Sequence, residues 1–212
     1  MSIEKFDIKK YWNDRYAREG ANACISRQIY DHQEERYKRD TERMGRALSR
    51  AGKMTFNNGI EIGAGSGRLT PFYNSFIREL LCTDISEKAM QCFNELPLKN
   101  QYVVEEIKNL KNKYTASFEI AFTFTVVQHI NDHITWAESV NSIQEILKPG
   151  GYYLLHEDIS AFTMNYKPSL HMNGFGLPDY IKALDKCNLI YHEILFEEQT
   201  KEHDLVALFE RK

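Results

Sequence analysis

The chain has 212 residues, of which 42% are hydrophobic and 27% are charged, and its formal net charge is −3. This length and composition indicate one globular domain with a sizeable core. The slightly acidic balance excludes the global positive field that nucleic-acid-binding proteins present, so no nucleic-acid partner is expected. The most apolar stretch, residues 118–127, is short and contains Glu119, so no membrane segment is expected. The start, "MSIEKFDIKKYW", lacks the apolar centre of a signal peptide, which predicts a cytoplasmic protein.

Cysteine and histidine usage points away from a disulfide framework or a metal site. The four cysteines stand at positions 24, 82, 92 and 187, without C-x-x-C spacing. We expect them to be reduced thiols. The seven histidines are scattered and do not pair with cysteines or carboxylates at ligand spacing, so no metal is expected.

The N-terminal quarter, residues 1–50, is predicted to form a helical cap, which contains a helix over residues 30–50. The apolar residues of that helix form one stripe, which consists of Tyr30, Tyr37, Met44 and Leu48. The opposite face is charged, with Glu34 and Lys38 ordered as acid before base at i,i+4. We expect this charged face to be solvated.

From Gly59 onward, strand-like and helix-like segments alternate, which is typical of a parallel sheet with helices on both faces. The predicted strands are 59–63, 79–84, 101–106, 119–127 and 151–157. Helices are expected after Arg68, from Glu87, and over 134–147. The stretch "LKPGGYYLL" predicts a turn at the proline and glycines, followed by a strand. The C-terminal part predicts a helix over 177–189 and two strands, 190–196 and 205–209, paired as an antiparallel hairpin.

A glycine-rich turn follows the first of these strands, in "NNGIEIGAGSGRLTPFY", residues 57–73. Glycine allows backbone dihedrals closed to other residues and lets a ligand touch the peptide directly. A tight turn alone would need one glycine, whereas Gly63, Gly65 and Gly67 together predict a nucleotide-type cofactor site. The dinucleotide fingerprint G-x-G-x-x-G, aligned on the first two glycines, would require glycine where Arg68 stands.

With Glu61 on the preceding strand, the pattern becomes E-x-G-x-G-x-G, which resembles that of the class I S-adenosylmethionine-dependent methyltransferases. The resemblance extends from Tyr11 to the C-terminal hairpin. It implies an α/β fold, a Rossmann-like seven-stranded, mostly parallel sheet with an antiparallel C-terminal hairpin strand and helices on both faces. It also implies S-adenosylmethionine as the cofactor. The turn, with Ala64 between the first two glycines, would contact the methionine part, and Glu61 would hold the ammonium group, often through water.

The resemblance also implies a ribose contact at the end of the second strand. Asp84, followed by Ile85, would accept hydrogen bonds from both ribose hydroxyls, because a carboxylate has two acceptor oxygens. The alternative for Asp84 is a helix N-cap, although Ser86 is better placed for that role.

Adenine contacts would follow the third strand. Glu106 would reach the adenine amino group, with Ile107 packing on the ring. Glutamate stands where the family often has aspartate, and Glu105 is a competing candidate. Phe124, near the end of the fourth strand, lines the cofactor site or belongs to the core.

The segment "YWNDRYAREG" looks like the opening helix of the small-molecule branch of this family. Trp12, Arg15 or Tyr16 would then close over the cofactor, and core packing is the alternative for Trp12.

Candidate catalytic residues lie at the carboxyl ends of the strands, where open α/β sheets bind their ligands. They are His129 after the fourth strand, and His156 and Glu157 at the end of the fifth. A histidine can accept a proton near neutral pH, whereas a merely structural histidine would shape the turn by hydrogen bonding. Asp158 is an alternative base to Glu157, and a cap or a solvated loop is the alternative role for both.

Residues 159–178 connect the fifth strand to the last helix, and a connection of this length predicts a substrate lid. Its apolar and aromatic residues suggest an apolar or flat acceptor surface: Phe162, Met164, Tyr166, Met172 and Phe175.

The leading hypothesis is therefore a methyltransferase that uses S-adenosylmethionine to methylate a small-molecule acceptor, at oxygen. The alternatives are an NAD(P)-dependent oxidoreductase, a non-catalytic cofactor-binding protein and, within the methyltransferases, an RNA-modifying enzyme. The acceptor and the oligomeric state do not follow from the sequence.

Overall fold

A computed structural model describes residues 6–24, 33–163, 172–197 and 202–212. These residues contain seven strands in one sheet. The strands are β1 (Phe56–Ile62), β2 (Ile77–Asp84), β3 (Gln101–Val104), β4 (Phe118–Phe124), β5 (Leu147–Asp158), β6 (Cys187–Glu197) and β7 (Glu202–Arg211).

The sheet has the strand order β3-β2-β1-β4-β5-β7-β6. Strands β1 to β5 pair in parallel, while β7 pairs antiparallel with both β5 and β6. The predicted α/β class, the mostly parallel sheet and the C-terminal hairpin are all confirmed. The carboxyl ends of the parallel strands and the beginning of β7 therefore meet at one edge, where ligands bind in open sheets of this kind.

Helices cover both faces of the sheet. They are α1 (Ile8–Glu19), α2 (Gln33–Leu48), α3 (Thr70–Asn74), α4 (Glu87–Asn94), α5 (Lys111–Tyr114), α6 (His133–Ile146), α7 (Ser160–Thr163) and α8 (Leu177–Ala183). On one face, Met44 of α2, Tyr73 of α3 and Phe93 of α4 belong to one buried apolar cluster. On the other face, Trp136 of α6 and Tyr180 of α8 belong to a second cluster. Within the described residues, every helix is too short or too polar to cross a lipid bilayer.

Glu34, Glu35 and Lys38 of α2 are exposed as predicted, but the charged residues of this helix do not all face solvent. Met44 and Leu48 are buried as expected, but Asp40 and Arg43 are buried as well. The reason is the position of α2, which packs against β5 and β7 near the edge of the sheet where the site lies. Part of its polar face is thereby enclosed between the helix and polar residues at the strand ends.

Two boundaries differ from the sequence prediction. The stretch "LKPGG" is the beginning of β5 rather than a separate turn: Leu147 pairs with Phe118, and the register shifts before Tyr152 pairs with Ile120. A bulge therefore accommodates the proline and glycines within the pairing. The last helix ends at Ala183, earlier than expected, because β6 already begins at Cys187.

The described part of the predicted lid comprises residues 159–163, which include α7, and residues 172–178, whereas Met164 and Tyr166 lie outside the described residues. Phe175 is buried, and its ring stacks on Trp136 with centroids 4.1 Å apart. Phe175 therefore belongs to the core and does not form an acceptor surface. Phe162 is 43% exposed.

Candidate active site

A cavity of about 630 Å³ opens at the carboxyl edge of the sheet. Among the predicted cofactor-binding residues, those that line it are Glu61, Gly63, Ala64, Gly65, Asp84, Ile85, Glu106, Ile107 and Phe124. The fold thus brings nearly all of the predicted cofactor residues to one cavity, whose size is usual for a small-molecule site. Of the predicted catalytic residues, His129 also lines the cavity, whereas His156 and Glu157 do not.

The glycine turn owes its composition to backbone conformation and to neighbouring side chains. Gly63 and Gly65 have φ values of 72° and 58°, in the left-handed region that favours glycine. A Cβ at Gly63 would clash with Val126, and one at Gly65 would clash with the Tyr16 hydroxyl. Gly67 lies outside the cavity, and a Cβ there would come within 2.8 Å of Phe93. Side chains of the protein, rather than a ligand, therefore occupy the space that these glycines leave.

Asp84 ends β2 and holds the glycine turn. Its Oδ2 accepts a hydrogen bond from the Gly65 amide at 3.0 Å, and its Oδ1 accepts one from the Ser86 amide at 2.9 Å. Ser86 caps α4, because its side chain accepts from the Ala89 amide. Burial raises the pKa of Asp84 to about 6 although these amide donors lower it. The side chain is thus a carboxylate at neutral pH with acceptor capacity left on each oxygen.

Glu61 lies on β1 with its side chain 5% exposed. Thr70 donates a 2.6 Å hydrogen bond to its Oε2, and the Cys82 thiol lies 3.7 Å from the same oxygen. Burial raises the pKa of Glu61 to about 8, which makes the carboxyl largely protonated at neutral pH. A cation bound beside Glu61 would restore the charged form.

Glu105 and Glu106, the two acidic residues after β3, differ in the number of contacts that hold their side chains. Glu105 accepts hydrogen bonds from the Glu106 amide and from Asn109, and it forms an ion pair with Lys113. Glu106 is more exposed, and its carboxylate pairs with Lys108 at 3.0 Å. Both acids line the cavity. The hydrogen bonds of Glu105 stabilise the turn after β3, whereas the Glu106 side chain contacts one exposed lysine.

Phe124 ends β4 between two charged or titratable groups. Its ring stacks on the His156 ring with centroids 4.2 Å apart, and the guanidinium of Arg68 lies over it at 5.0 Å. His156 is fully buried behind Phe124, and burial lowers its pKa to about 4. His156 is therefore neutral and separated from the cavity, an arrangement in which it cannot accept a proton from a ligand there.

Glu157 is also buried, on the other face of β5, because successive residues of a strand point to opposite faces. Its carboxylate accepts hydrogen bonds from three successive amides, those of Val126, Val127 and Gln128. Burial raises the pKa of Glu157 to about 7, although these three donors lower it. This geometry makes Glu157 a residue that shapes the turn after β4.

That turn carries His129, whose ring lies edge-on to Trp12 with centroids 5.0 Å apart. Trp12, Arg15 and Tyr16 of α1 all line the cavity, which places the opening helix along one of its walls. The Arg15 guanidinium lies 5.4 Å from the Trp12 ring and pairs with Glu19.

Comparisons with known proteins agree with this geometry. Residues 60–155 match a family described as a methyltransferase domain. A polyketide synthase–nonribosomal peptide synthetase from Aspergillus clavatus is 34% identical over 137 residues, which take in 58% of this chain but only 3% of that protein. The chain thus spans a small fraction of the length of this relative.

Solved structures share the whole architecture at low identity. The N-methyltransferase NodS from Bradyrhizobium japonicum, in complex with S-adenosyl-L-homocysteine, has a TM-score of 0.67 at 16% identity, covering 94% of this chain and 98% of NodS. An S-adenosylmethionine-dependent methyltransferase from Clostridium acetobutylicum has a TM-score of 0.67 at 11% identity, covering 82% of this chain and 92% of its own. Residues 60–155 thus match the methyltransferase-domain family, and the chain has the fold of S-adenosylmethionine-dependent methyltransferases.

The cofactor of these methyltransferases is S-adenosylmethionine, and the residues present fit it. Asp84 offers a carboxylate for vicinal hydroxyls, and Glu61 offers a buried carboxyl that an ammonium group would ionise. The cavity walls combine these groups with apolar side chains such as Ile85 and Ile107.

Sequence reasoning missed the part of this methyltransferase cavity formed by α2 and β7. Arg36 of α2, Asp204 of β7 and the guanidinium of Arg68 line the cavity, and Asp40 lies behind them. The positions 36, 40 and 43 are spaced so that they share one face of a helix, which was the available signal. Only the tertiary structure shows that the sheet edge covers this face.

Proposed function

We propose that this protein transfers the methyl group of S-adenosylmethionine to a hydroxyl oxygen of a small molecule. The observation that carries the proposal is a cavity in which His129 meets all of the predicted cofactor residues except Gly67. The acidic net charge favours a metabolite over RNA as the acceptor.

The roles proposed for the cofactor-binding residues follow the contacts described above. Asp84 would bind the ribose hydroxyls, Glu61 the ammonium group, and Glu106 with Ile107 the adenine. The peptides of Gly63, Ala64 and Gly65 would lie along the methionine part. The α1 helix within the N-terminal cap and Met172 within the lid would form walls of the site, since Trp12, Tyr16 and Met172 line the cavity.

The bound cofactor supplies a methyl group that a sulfonium leaving group already activates. The chain has to align the acceptor oxygen with that methyl group and exclude water. A hydroxyl acceptor also has to lose its proton, and His129 is the cavity-lining candidate for accepting it. Glu157 would act as a positioning residue, because it fixes the amides of the turn that precedes His129.

The test is a panel of small alcohols and phenols, each with a matched amine, in an assay that measures release of S-adenosylhomocysteine. We expect turnover with hydroxyl acceptors and a loss of about a hundredfold in kcat for His129→Gln. The pH dependence of kcat should lose its acidic limb in that variant. A rate and pH profile unchanged by His129→Gln would remove the proton-transfer role, and product binding without turnover by any acceptor would indicate a non-catalytic protein.

Methylation at nitrogen is the second candidate, and the fold shared with NodS, an N-methyltransferase, is the observation that favours it. A neutral amine attacks without first losing a proton, so it needs no base in the rate-limiting step. Turnover restricted to the amines, together with insensitivity to His129→Gln, would select nitrogen.

A further inference from the structure

The cavity extends beyond the predicted cofactor residues. Those residues come mainly from the ends of β1, β2 and β3, on one half of the sheet edge. The other half is formed at β4, β5 and β7, and it is covered by α2. Its lining includes Arg36, Arg68, Phe124, Asp158 and Asp204.

Two guanidinium groups in this half share one buried carboxylate. Asp40 is fully buried, and its Oδ2 lies 3.6 Å from Nε of Arg36 and 3.6 Å from Nη1 of Arg68. Both separations are too long for a normal hydrogen bond. Neither carboxylate oxygen of Asp40 has a hydrogen-bond partner, and neither does the buried Nη1 of Arg36, among the residues that the structure describes. Arg36 therefore has a buried N–H group without an acceptor, although the Asp40 carboxylate lies beside it.

The other two carboxylates that line this half of the cavity are engaged by other groups. Asp204 is paired with Arg43 at 3.1 Å, and Asp158 accepts hydrogen bonds from the amide and hydroxyl of Ser160. His156 and Glu61 add no charge near neutral pH, because burial lowers the pKa of the histidine to about 4 and raises that of the glutamate to about 8. A buried guanidinium donor without an acceptor is costly, and a bound anion would supply the acceptor.

We propose that Arg36 and Arg68 bind a carboxylate or phosphate group of the methyl acceptor. Guanidinium groups present paired donors that match the oxygens of these anions. The ring of Phe124 lies beneath Arg68 and restricts where its guanidinium can lie. The acceptor class is thus a small anionic molecule, a substrate assignment that rests on the proposed function.

The position of the pair favours the acceptor over the cofactor's own carboxylate as the anion. Arg36 comes from the helix that packs on β5 and β7, and the Arg68 side chain reaches away from the glycine turn, across Phe124 to Asp40. Both guanidinium groups therefore border the half of the cavity in which Phe124 is the one predicted cofactor residue.

Saturation-transfer NMR on protein loaded with S-adenosylhomocysteine tests the assignment, with benzoate and inorganic phosphate as probes and benzamide as the neutral counterpart of benzoate. We expect benzoate or phosphate to bind and benzamide not to bind. Arg68→Met should weaken anion binding by about tenfold or more, as expected for a lost charge-assisted hydrogen bond. That variant leaves the Arg36–Asp40 pair in place, so its folding is protected. Arg46→Met is the matched control, because Arg46 lies on α2 but pairs at the surface with Glu193.

Calorimetry with S-adenosylhomocysteine on the same variants separates the two sources of the anion. Product affinity should change less than anion affinity in Arg68→Met and in the double variant Arg36→Met/Asp40→Asn, which removes one charge of each sign. Equal binding of benzoate and benzamide would overturn the proposal. So would a large loss of product affinity in both variants, since the pair would then hold the cofactor's carboxylate. Failure of the wild-type protein to bind the product would instead contradict the proposed function.

Discussion

At the residue scale, the site depends on carboxyl groups that burial holds in different protonation states. Asp84 remains ionised at neutral pH because backbone amides reach both of its oxygens. Among the described residues, Glu61 has a hydroxyl and a thiol as donors and no backbone amide, so burial raises its pKa to about 8. The difference suits one group to hydroxyls and the other to a cation.

The state of Glu61 predicts that cofactor binding releases a proton. A bound ammonium group should ionise the carboxyl, so the heat of product binding near neutral pH should depend on the ionisation enthalpy of the buffer. Calorimetry in two buffers of different ionisation enthalpy measures this release. Glu61→Gln should remove it while keeping an acceptor for Thr70, and a release that persists in this variant would contradict the assignment.

Asp84 provides the corresponding test for the ribose. Asp84→Ala should weaken S-adenosylhomocysteine binding by about tenfold or more, because two hydroxyl partners and the amide of Gly65 lose their acceptor. Titration calorimetry measures the change. Glu79→Gln on the exposed face of β2 is the control and should bind as the wild type does. Equal affinities in the alanine variant and the wild type would remove the ribose role.

At the element scale, the sequence patterns predicted the order of strands and helices because each strand of the sheet interior is a short apolar run. The glycine turn was also predictable, since its φ values are a local requirement. The burial of Asp40, the separation of His156 from the cavity and the enclosure of Glu157 were not, because each depends on which element packs on the sheet edge. Alternation along β5 fixes opposite directions for His156 and Glu157 but not which face carries α2.

Phe175 anchors residues 172–176, a segment that the sequence had predicted to belong to a substrate lid. Its stacking on Trp136 anchors residues 172–176 against α6. Phe175→Ala should lower the free energy of unfolding by about 3 kcal/mol or more, as expected for a buried aromatic. Chemical denaturation measures the loss. Ile134→Ala on the exposed part of the same helix should cost far less, and similar losses in the two variants would show that Phe175 is not part of the core.

At the scale of the whole molecule, stability should fall as pH rises through the range in which buried carboxyls ionise. The pKa of Glu157 is raised to about 7 and that of Glu61 to about 8, so the folded state holds protons that the unfolded state has released. Stability contributed by these protonated groups is therefore lost with increasing pH. His156 has the opposite effect on stability, but only below its ordinary pKa, where the histidine of the unfolded state binds a proton and the buried ring does not.

The expected result is a thermal midpoint of the cofactor-free protein that decreases from about pH 6.5, above the range in which His156 opposes the loss, to about pH 8. Differential scanning calorimetry measures it, and Glu61→Gln should flatten the upper part of the decline. A midpoint that rises steadily over this range would contradict the burial of these two groups.

The central claim is that the carboxyl edge of this sheet binds a sulfonium cofactor and its product. Titration calorimetry of the wild-type protein with S-adenosylhomocysteine, alongside NADH, tests it most directly. We expect saturable binding of S-adenosylhomocysteine at submillimolar concentration and no heat with NADH. Absence of product binding at millimolar concentration, or binding of NADH in its place, would contradict the account.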